Sequence, residues 1–236
     1  GIRDYRGSGR ASGRETAGRV AAGAVAKKIL TSRGIEITAY TLKAAGIQCS
    51  HYDKAVIEQN PLRACDMNAA KDMEERLLKL QAEKDSAGGI VECRVTGLPS
   101  GIGDPVFDKL DAELAHAMLS IGAVKGIEFG SGFAGADMTG SEHNDWMDSS
   151  GFMSNNAGGI LGGISSGQEL VFRIAIKPVS SIEKTQKTID LNGKETEIRT
   201  EGRHDTCILP RVVPVVEAMT AIVLEDHIKR QAALHA

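Results

Sequence analysis

The residues that most clearly predict chemistry lie near the start of the sequence, where arginines and glycines alternate. The segment reads Tyr5-Arg6-Gly7-Ser8-Gly9-Arg10-Ala11-Ser12-Gly13-Arg14-Glu15-Thr16. Ser12 and Glu15 have the spacing of a capping box, which predicts a helix from Ser12 towards Leu30. The N-terminus of a helix attracts anions, and arginine side chains fork onto phosphate or carboxylate groups. The segment therefore predicts a site for a small molecule that carries several negative charges.

Two other interpretations of this segment stay open. Runs of glycine and arginine also occur in disordered RNA-binding tails, and a basic surface can face water without any ligand. The net charge of the chain is −3 and its positive charge is concentrated in residues 3–33, so nucleic acid is not the expected main partner. The segment is not a dinucleotide-binding fingerprint, because Ser12 stands where the third glycine would fall.

Ligand-binding or reactive groups are concentrated in three further segments. These are residues 155–167, Lys177-Pro178-Val179-Ser180-Ser181 and Gly202-Arg203-His204-Asp205-Thr206-Cys207. The first is rich in glycine and lets a flat ligand pack on backbone, although such hairpins also serve plain close packing. The second offers a cation and hydroxyls, and the third combines a cation, an imidazole and a carboxylate. His204, Asp205 and Cys207 could also form a metal cluster, but no metal site is expected, because no other His or Cys lies at ligand spacing and the nearest cation is an arginine.

The elements that must position these groups are helices and strands in mixed order. Helical periodicity or capping signals predict helices over residues 12–30 and 67–87, a helix opened by Asp104 and Pro105, and a last helix over 215–234. Alternating patterns predict strands over 35–40, 90–96 and 124–129, a hairpin over 158–177 that turns at 165–167, and a hairpin over 185–200 that turns at Asn192-Gly193. Residues 130–157 form a long polar loop. Since strict βαβ repetition is missing, the sequence predicts an α+β fold.

Composition predicts an ordinary globular chain. With 236 residues, 42% apolar and 25% charged, we expect one domain over residues 1–236. The four cysteines include no C-x-x-C pair, which indicates reduced thiols and a cytoplasmic location, with a plastid left open. No apolar run has membrane-spanning length, so no membrane partner is expected.

Several blocks of the sequence together resemble those of a known family. Residues 9–16, 21–24, 156–163 and 203–205 are similar, in order, to sequence blocks of chorismate synthase. The resemblance implies a layered sandwich of helices between antiparallel sheets, usually assembled as a homotetramer. It also implies the 1,4-anti elimination of phosphate from 5-enolpyruvylshikimate 3-phosphate, which needs reduced FMN although there is no net redox change. An NADPH-dependent flavin reductase activity of the protein and an external flavin reductant both stay open.

The resemblance also implies the site residues. Asp205 matches the catalytic acid–base aspartate near flavin N5, and Arg14 is expected to bind substrate. Gly122 and Ala123 match a flavin-binding position that a neighbouring subunit could supply. The full set of expected flavin-binding residues is Arg10, Ala11, Ser12, Gly122, Ala123, Gly162, Lys177, Pro178, Val179, Ser180, Ser181 and Arg203.

The sequence departs from the family pattern in informative ways. In the family, a further segment precedes the part that is matched here. It contains a Gly-x-Ser-His-Gly block and a second histidine. The histidine of the block and the second histidine are both acid catalysts in the family, and neither has a counterpart in this sequence. Ala11 stands where serine is common, and Thr206 stands where proline is common. We therefore expect little or no activity from these 236 residues alone. The alternative is a non-catalytic core that binds flavin or another anion.

Overall fold

The computed structural model describes Gly9 and residues 12–234, so the expected flavin-binding residues Arg10 and Ala11 lie outside the described residues. Its α-helices are α1 (Thr16–Ser32), α2 (Met67–Ala82), α3 (Leu110–Leu119), α4 (Gly140–His143) and α5 (Leu209–Leu234). Its strands are β1 (Glu36–Ala44), β2 (Ile47–Gln48), β3 (Gly89–Thr96), β4 (Val124–Phe129), β5 (Met147–Asp148), β6 (Gly151–Phe152), β7 (Ile160–Leu161), β8 (Ile164–Ser165), β9 (Leu170–Ile176), β10 (Gln186–Ile189) and β11 (Glu195–Ile198). Within this part of the chain, no helix is long and apolar enough to cross a membrane.

Among the described residues, the main sheet has five strands in the order β2-β1-β3-β9-β4, and three two-stranded antiparallel hairpins accompany it. Along β9, the predicted alternation between buried side chains and more exposed ones is confirmed. Leu170, Phe172, Ile174 and Ile176 of β9 are all buried, because successive side chains of a strand point to opposite faces. The combination of helices with antiparallel strands makes the chain α+β, as expected.

The described residues form two compact units. Unit 1 consists of the described parts of Gly1–Ala39 and Val213–Ala236 together with Glu92–Ile174. Unit 2 consists of Tyr40–Val91 and Ala175–Val212. The expectation of one domain over residues 1–236 stays a prediction.

The start of the first helix is close to its predicted form. Ser12 caps a short 3-10 turn, Gly13–Glu15, and accepts a hydrogen bond at 3.4 Å from the backbone N–H of Arg14. The predicted capping box is not formed, because the Ser12 hydroxyl accepts from the N–H of Arg14 rather than from that of Glu15. The Glu15 carboxylate does not return to Ser12 but pairs with Arg19 at 2.8 Å, because a side chain one helical turn further along lies on the same face.

Two predicted boundaries are wrong. The helix expected to open at Asp104 begins at Leu110, and Val106, which lies between these two residues, is 78% exposed. The Asp104 N–H donates to the Asp108 carbonyl at 2.9 Å, so this backbone forms a turn that cannot also begin the helix. The glycine-rich hairpin turns at Gly162-Gly163 rather than at 165–167, since both glycines have the positive φ values, 60° and 87°, that such a turn requires.

Other boundaries differ less. α2 ends at Ala82, five residues before the predicted end, and α5 begins at Leu209 rather than at residue 215. Pro210 therefore lies in the first turn of α5, where a missing N–H costs nothing, while Pro214 lies inside the helix. The hairpin at Asn192-Gly193 is confirmed, with Gln186 opposite Ile198.

Candidate functional site

A polar cavity of about 740 Å³ lies within unit 2. Its size falls in the range of about 300–1,000 Å³ that is usual for small-molecule sites. Three expected site residues line it, namely Ser181, Arg203 and Asp205. Lys177, Pro178, Val179 and Ser180 precede Ser181 along the chain but are not part of the lining. The full lining is Gln81, Lys84, Asp85, Ser181, Ile182, Glu183, Gly202, Arg203, His204, Asp205, Thr206 and Arg211.

Two chain segments supply most of this wall because regular structure ends shortly before each of them. β9 ends at Ile176 and the chain continues without regular structure to β10, which places residues 177–183 at the end of the main sheet. After β11, residues 199–208 again lack regular structure until α5 begins. The N–H of Thr200 donates to the carbonyl of Ile182 at 3.1 Å. This bond joins the two segments where the chain enters and leaves the hairpin of β10 and β11.

Ion pairs occupy most of the charged groups in the cavity wall. Lys84 Nζ lies 3.1 Å from Glu183 Oε2, and Arg211 Nη2 lies 2.9 Å from Asp205 Oδ1. Within the part of the chain that the structure describes, the guanidinium of Arg203 has no hydrogen-bond or ion-pair partner. Among these residues, the full donor set of Arg203 is therefore available to an anionic ligand, whereas Arg211 shares its guanidinium with Asp205.

Two carboxylates of the cavity wall, Glu183 and Asp85, have a lowered pKa. A hydrogen bond from Lys84, and then the positive charges of Lys84, Arg199 and His204, lower the pKa of Glu183. The backbone N–H of Ser86 and then the ammonium of Lys184 lower the pKa of Asp85. Both carboxylates consequently remain acceptors at neutral pH, and they pair with Lys84 of the wall and with the neighbouring Lys184.

The remaining described site residues belong to unit 1, and a single arginine links two of their positions. Arg19 of α1 donates to the Ser120 hydroxyl at 2.6 Å and to the Ser120 carbonyl at 3.3 Å. The first turns of α1, which follow Ser12 and Arg14, are thereby tied to the turn that contains Gly122 and Ala123. Ala123 has a φ of 71°, a backbone conformation that favours glycine.

Gly162 lies elsewhere in unit 1. The carbonyl of the adjacent Gly163 accepts a hydrogen bond at 2.8 Å from the N–H of Leu110, the first residue of α3. Gly122 and Ala123 instead follow the other end of α3, which has ten residues. At a rise of about 1.5 Å per residue, the two positions are separated by about 15 Å along the helix. Gly162 and the Gly122–Ala123 turn of one chain are therefore not brought together.

Several residues of the cavity wall were missed by sequence reasoning. Lys84, Asp85, Glu183 and Arg211 belong to no motif, and their charges resemble those of any solvated surface. The one available signal was the break at Gly88-Gly89 after a charged helix, which marks a loop but not its neighbours. Among the described residues, no group of three or more His, Cys, Asp or Glu side chains is arranged to hold a metal ion.

Comparison with known proteins gives consistent results. The family model described as chorismate synthase matches residues 1–228. Two curated relatives named chorismate synthase, from Syntrophobacter fumaroxidans and Desulfatibacillum aliphaticivorans, are each 52% identical to this chain over 96% and 100% of its length. A solved structure described as the crystal structure of chorismate synthase matches 94% of this chain and 65% of its own, with 30% identity and a TM-score of 0.75. The chain spans 64% and 66% of the length of the two relatives.

Proposed function

Because the chain belongs to the chorismate synthase family, we propose that the protein is a lyase that makes chorismate from 5-enolpyruvylshikimate 3-phosphate. The reaction is a 1,4-anti elimination of phosphate that requires reduced FMN. The observation that carries this proposal is the cavity of unit 2, whose lining includes Asp205 and Arg203, a guanidinium with no partner among the described residues.

The residues of the cavity fit a flavin and a phosphorylated acid. FMN carries one phosphate, and the substrate carries a phosphate and two carboxylates, so both need cationic partners. Arg203 offers planar donors for such groups, while the hydroxyl of Ser181 adds a further polar contact. We assign flavin binding to both residues, to Lys177, Pro178, Val179 and Ser180 beside them, and to Arg10, Ala11, Ser12, Gly122, Ala123 and Gly162 as the family pattern implies.

Asp205 is the proposed catalytic residue. Reduced FMN, when bound, supplies electron density to the substrate as the phosphate leaves and recovers it with the hydrogen from C6. Asp205 holds or accepts a proton at flavin N5, and its ion pair with Arg211 keeps one carboxylate oxygen oriented. Arg14, beside the capped start of α1, is the proposed cation for the charge that develops on the leaving phosphate.

The assembly and the cellular setting are part of the same proposal. We infer a cytoplasmic homotetramer that meets reduced FMN either from an external reductant or through its own NADPH-dependent reduction. The separation of about 15 Å between Gly162 and the Gly122–Ala123 turn supports this assembly. In the proposed tetramer, a neighbouring subunit supplies one of these two positions to the flavin that the other position contacts.

An anaerobic assay tests the proposal. Purified protein is mixed with dithionite-reduced FMN and 5-enolpyruvylshikimate 3-phosphate, and the absorbance of chorismate and the flavin spectrum are followed together. We expect chorismate when this chain is joined to the family's preceding histidine-containing segment. For residues 1–236 alone we expect a changed flavin spectrum with little or no chorismate.

Variants and outcomes make the assay decisive. Asp205→Asn in the joined protein should lower turnover by about 10²–10⁴-fold, as is usual for loss of a positioned acid–base group, while the flavin spectrum still changes. A changed flavin spectrum without chorismate in the joined protein would identify a non-catalytic flavin-binding core. No change in either signal would contradict the proposal altogether.

A further inference from the structure

A four-residue loop after α2, residues 84–87, bonds to both segments that form the cavity wall of unit 2. The hydroxyl of Ser86 donates to the carbonyl of Val179 at 2.6 Å. The N–H of the next residue, Ala87, donates to the carbonyl of Thr206 at 2.9 Å. One side chain and the next backbone N–H of this loop thus hold the 177–183 segment and the 202–206 segment at once.

Two ion pairs strengthen the first of these attachments. Lys84 Nζ pairs with Glu183 at 3.1 Å, and Asp85 Oδ2 pairs with Lys184 Nζ at 3.0 Å. The loop has a lysine followed by an aspartate, whereas residues 183–184 are a glutamate followed by a lysine. A shift of one residue between the two segments would therefore place like charges together. The pairs therefore favour one register between the loop and residues 183–184.

The loop is itself fixed by the end of α2. Lys84 has a φ of 59°, and its N–H donates to the carbonyl of Gln81. The N–H of Asp85 reaches back to the carbonyl of Leu80 at 2.9 Å, and its carboxylate accepts from the N–H of Ser86 at 2.8 Å. This is the pattern of a helix that ends in a left-handed residue. The position of the loop is consequently set by a helix rather than by the segments without regular structure that it holds.

We propose that residues 84–87 are a positioning element that sets the distance between the flavin-binding segment 177–183 and the segment that carries Arg203 and Asp205. The identity of the ligand in this inference rests on the proposed function. The claim that residues 84–87 hold the two segments rests only on the contacts within unit 2. None of the four residues is assigned contact with the reacting atoms. Their side chains and backbone act through the segments to which they bond.

Hydrogen exchange tests, without any ligand, whether residues 84–87 hold the two segments in place. In Ser86→Ala and Asp85→Asn we expect the amides of Ala87 and Thr200 to exchange about tenfold faster, since local opening governs their protection. The amide of Asp53, bonded to the carbonyl of Cys65 at 2.9 Å in the same unit, serves as the reference and should not change.

Matched controls separate positioning from general loosening. Thr188→Ala removes an exposed hydroxyl in the hairpin of unit 2, and Glu58→Gln removes its ion pair with Arg63. Both controls should leave the amides of Ala87 and Thr200 at their original rates. Exchange that is unchanged in Ser86→Ala and Asp85→Asn, or that rises equally at Asp53, would overturn the inference.

Titration with FMN tests whether residues 84–87 affect ligand binding. Quenching of FMN fluorescence should give a dissociation constant about three- to tenfold higher for Ser86→Ala and Asp85→Asn than for the original chain, with the two controls unchanged. Weakened binding in the controls as well would contradict the positioning role. If the original chain does not bind FMN, the proposed function fails, while the exchange rates still decide whether the loop holds the two segments.

Discussion

Arg211 Nη2 lies 2.9 Å from Oδ1 of Asp205, so a residue of the first turns of α5 holds the carboxylate proposed for proton transfer. The pair is exposed, with 75% of the Arg211 side chain accessible, and such pairs contribute about 0–1 kcal/mol to stability. Its importance should therefore lie in orientation rather than in folding.

Arg211→Gln should lower turnover in the joined protein by about tenfold or more, because the Asp205 carboxylate loses the donor that orients it. The free energy of unfolding should change by less than about 1 kcal/mol. Arg211→Lys should recover part of the rate, since the charge returns without the planar guanidinium. Arg63→Gln breaks an ion pair of unit 2 outside the cavity lining; an equal loss of rate in this control would contradict the orientation role.

Arg203→Gln should weaken binding of FMN or of the phosphorylated substrate. Hydrogen bonds to charged groups contribute about 1.5–3 kcal/mol, which corresponds to a rise in dissociation constant of roughly 10- to 100-fold. Fluorescence titration measures the loss for FMN, and calorimetry measures it for the substrate. Arg199→Gln, which removes an exposed pair with Glu201, is the control, and unchanged affinity in Arg203→Gln would exclude this residue from the anion site.

Gly23→Ala should destabilise unit 1. A Cβ at Gly23 of α1 would lie 2.3 Å from the Cβ of Ala218 in α5, so the helices would have to move apart, at about 1–3 kcal/mol or more. Gly18→Ala in the same helix meets nothing within 4 Å and should stabilise by up to about 1 kcal/mol. Chemical denaturation compares the two variants, and equal effects would show that the close helix contact is not formed.

Asp66 should make unfolding depend on pH in the acid range. Burial alone would raise the pKa of this carboxyl, but hydrogen bonds from Ser50, Ala69 and Asn68 outweigh it and lower the pKa to about 2. A lowered native pKa stabilises above the unfolded value of about 3.9, and the contribution is lost as pH falls from about 4 towards 2. The expected loss is roughly 2 kcal/mol.

Asp66→Asn tests that dependence because asparagine keeps the capacity to cap α2 but does not titrate. Denaturation between pH 5 and pH 2 should give a shallower loss of stability than in the original chain. Asp72→Asn, an exposed position of the same helix, should leave the slope unchanged. The same slope in Asp66→Asn as in the original chain would contradict the assignment.

Local patterns predicted much of the fold. Alternation in residues 170–176 predicted a strand with one buried face, and the Asn192-Gly193 pair predicted the tip of a hairpin, and both are confirmed. These features depend on side-chain period and on turn conformation, which are properties of neighbouring residues. The Asp104-Pro105 signal failed because a backbone pair between residues 104 and 108 competed with the helix start.

The sequence by itself determined the family, the α+β class and the segments that carry the candidate site, because long blocks of residues and local periodicity are written in the order of the chain. Only the tertiary structure decided which members of those segments meet. It separated Gly162 from the Gly122–Ala123 turn by the length of α3, paired Asp205 with Arg211, and bonded residues 84–87 to both walls of the cavity. Those outcomes depend on where helices end and how distant segments pack, and no local pattern contains that information.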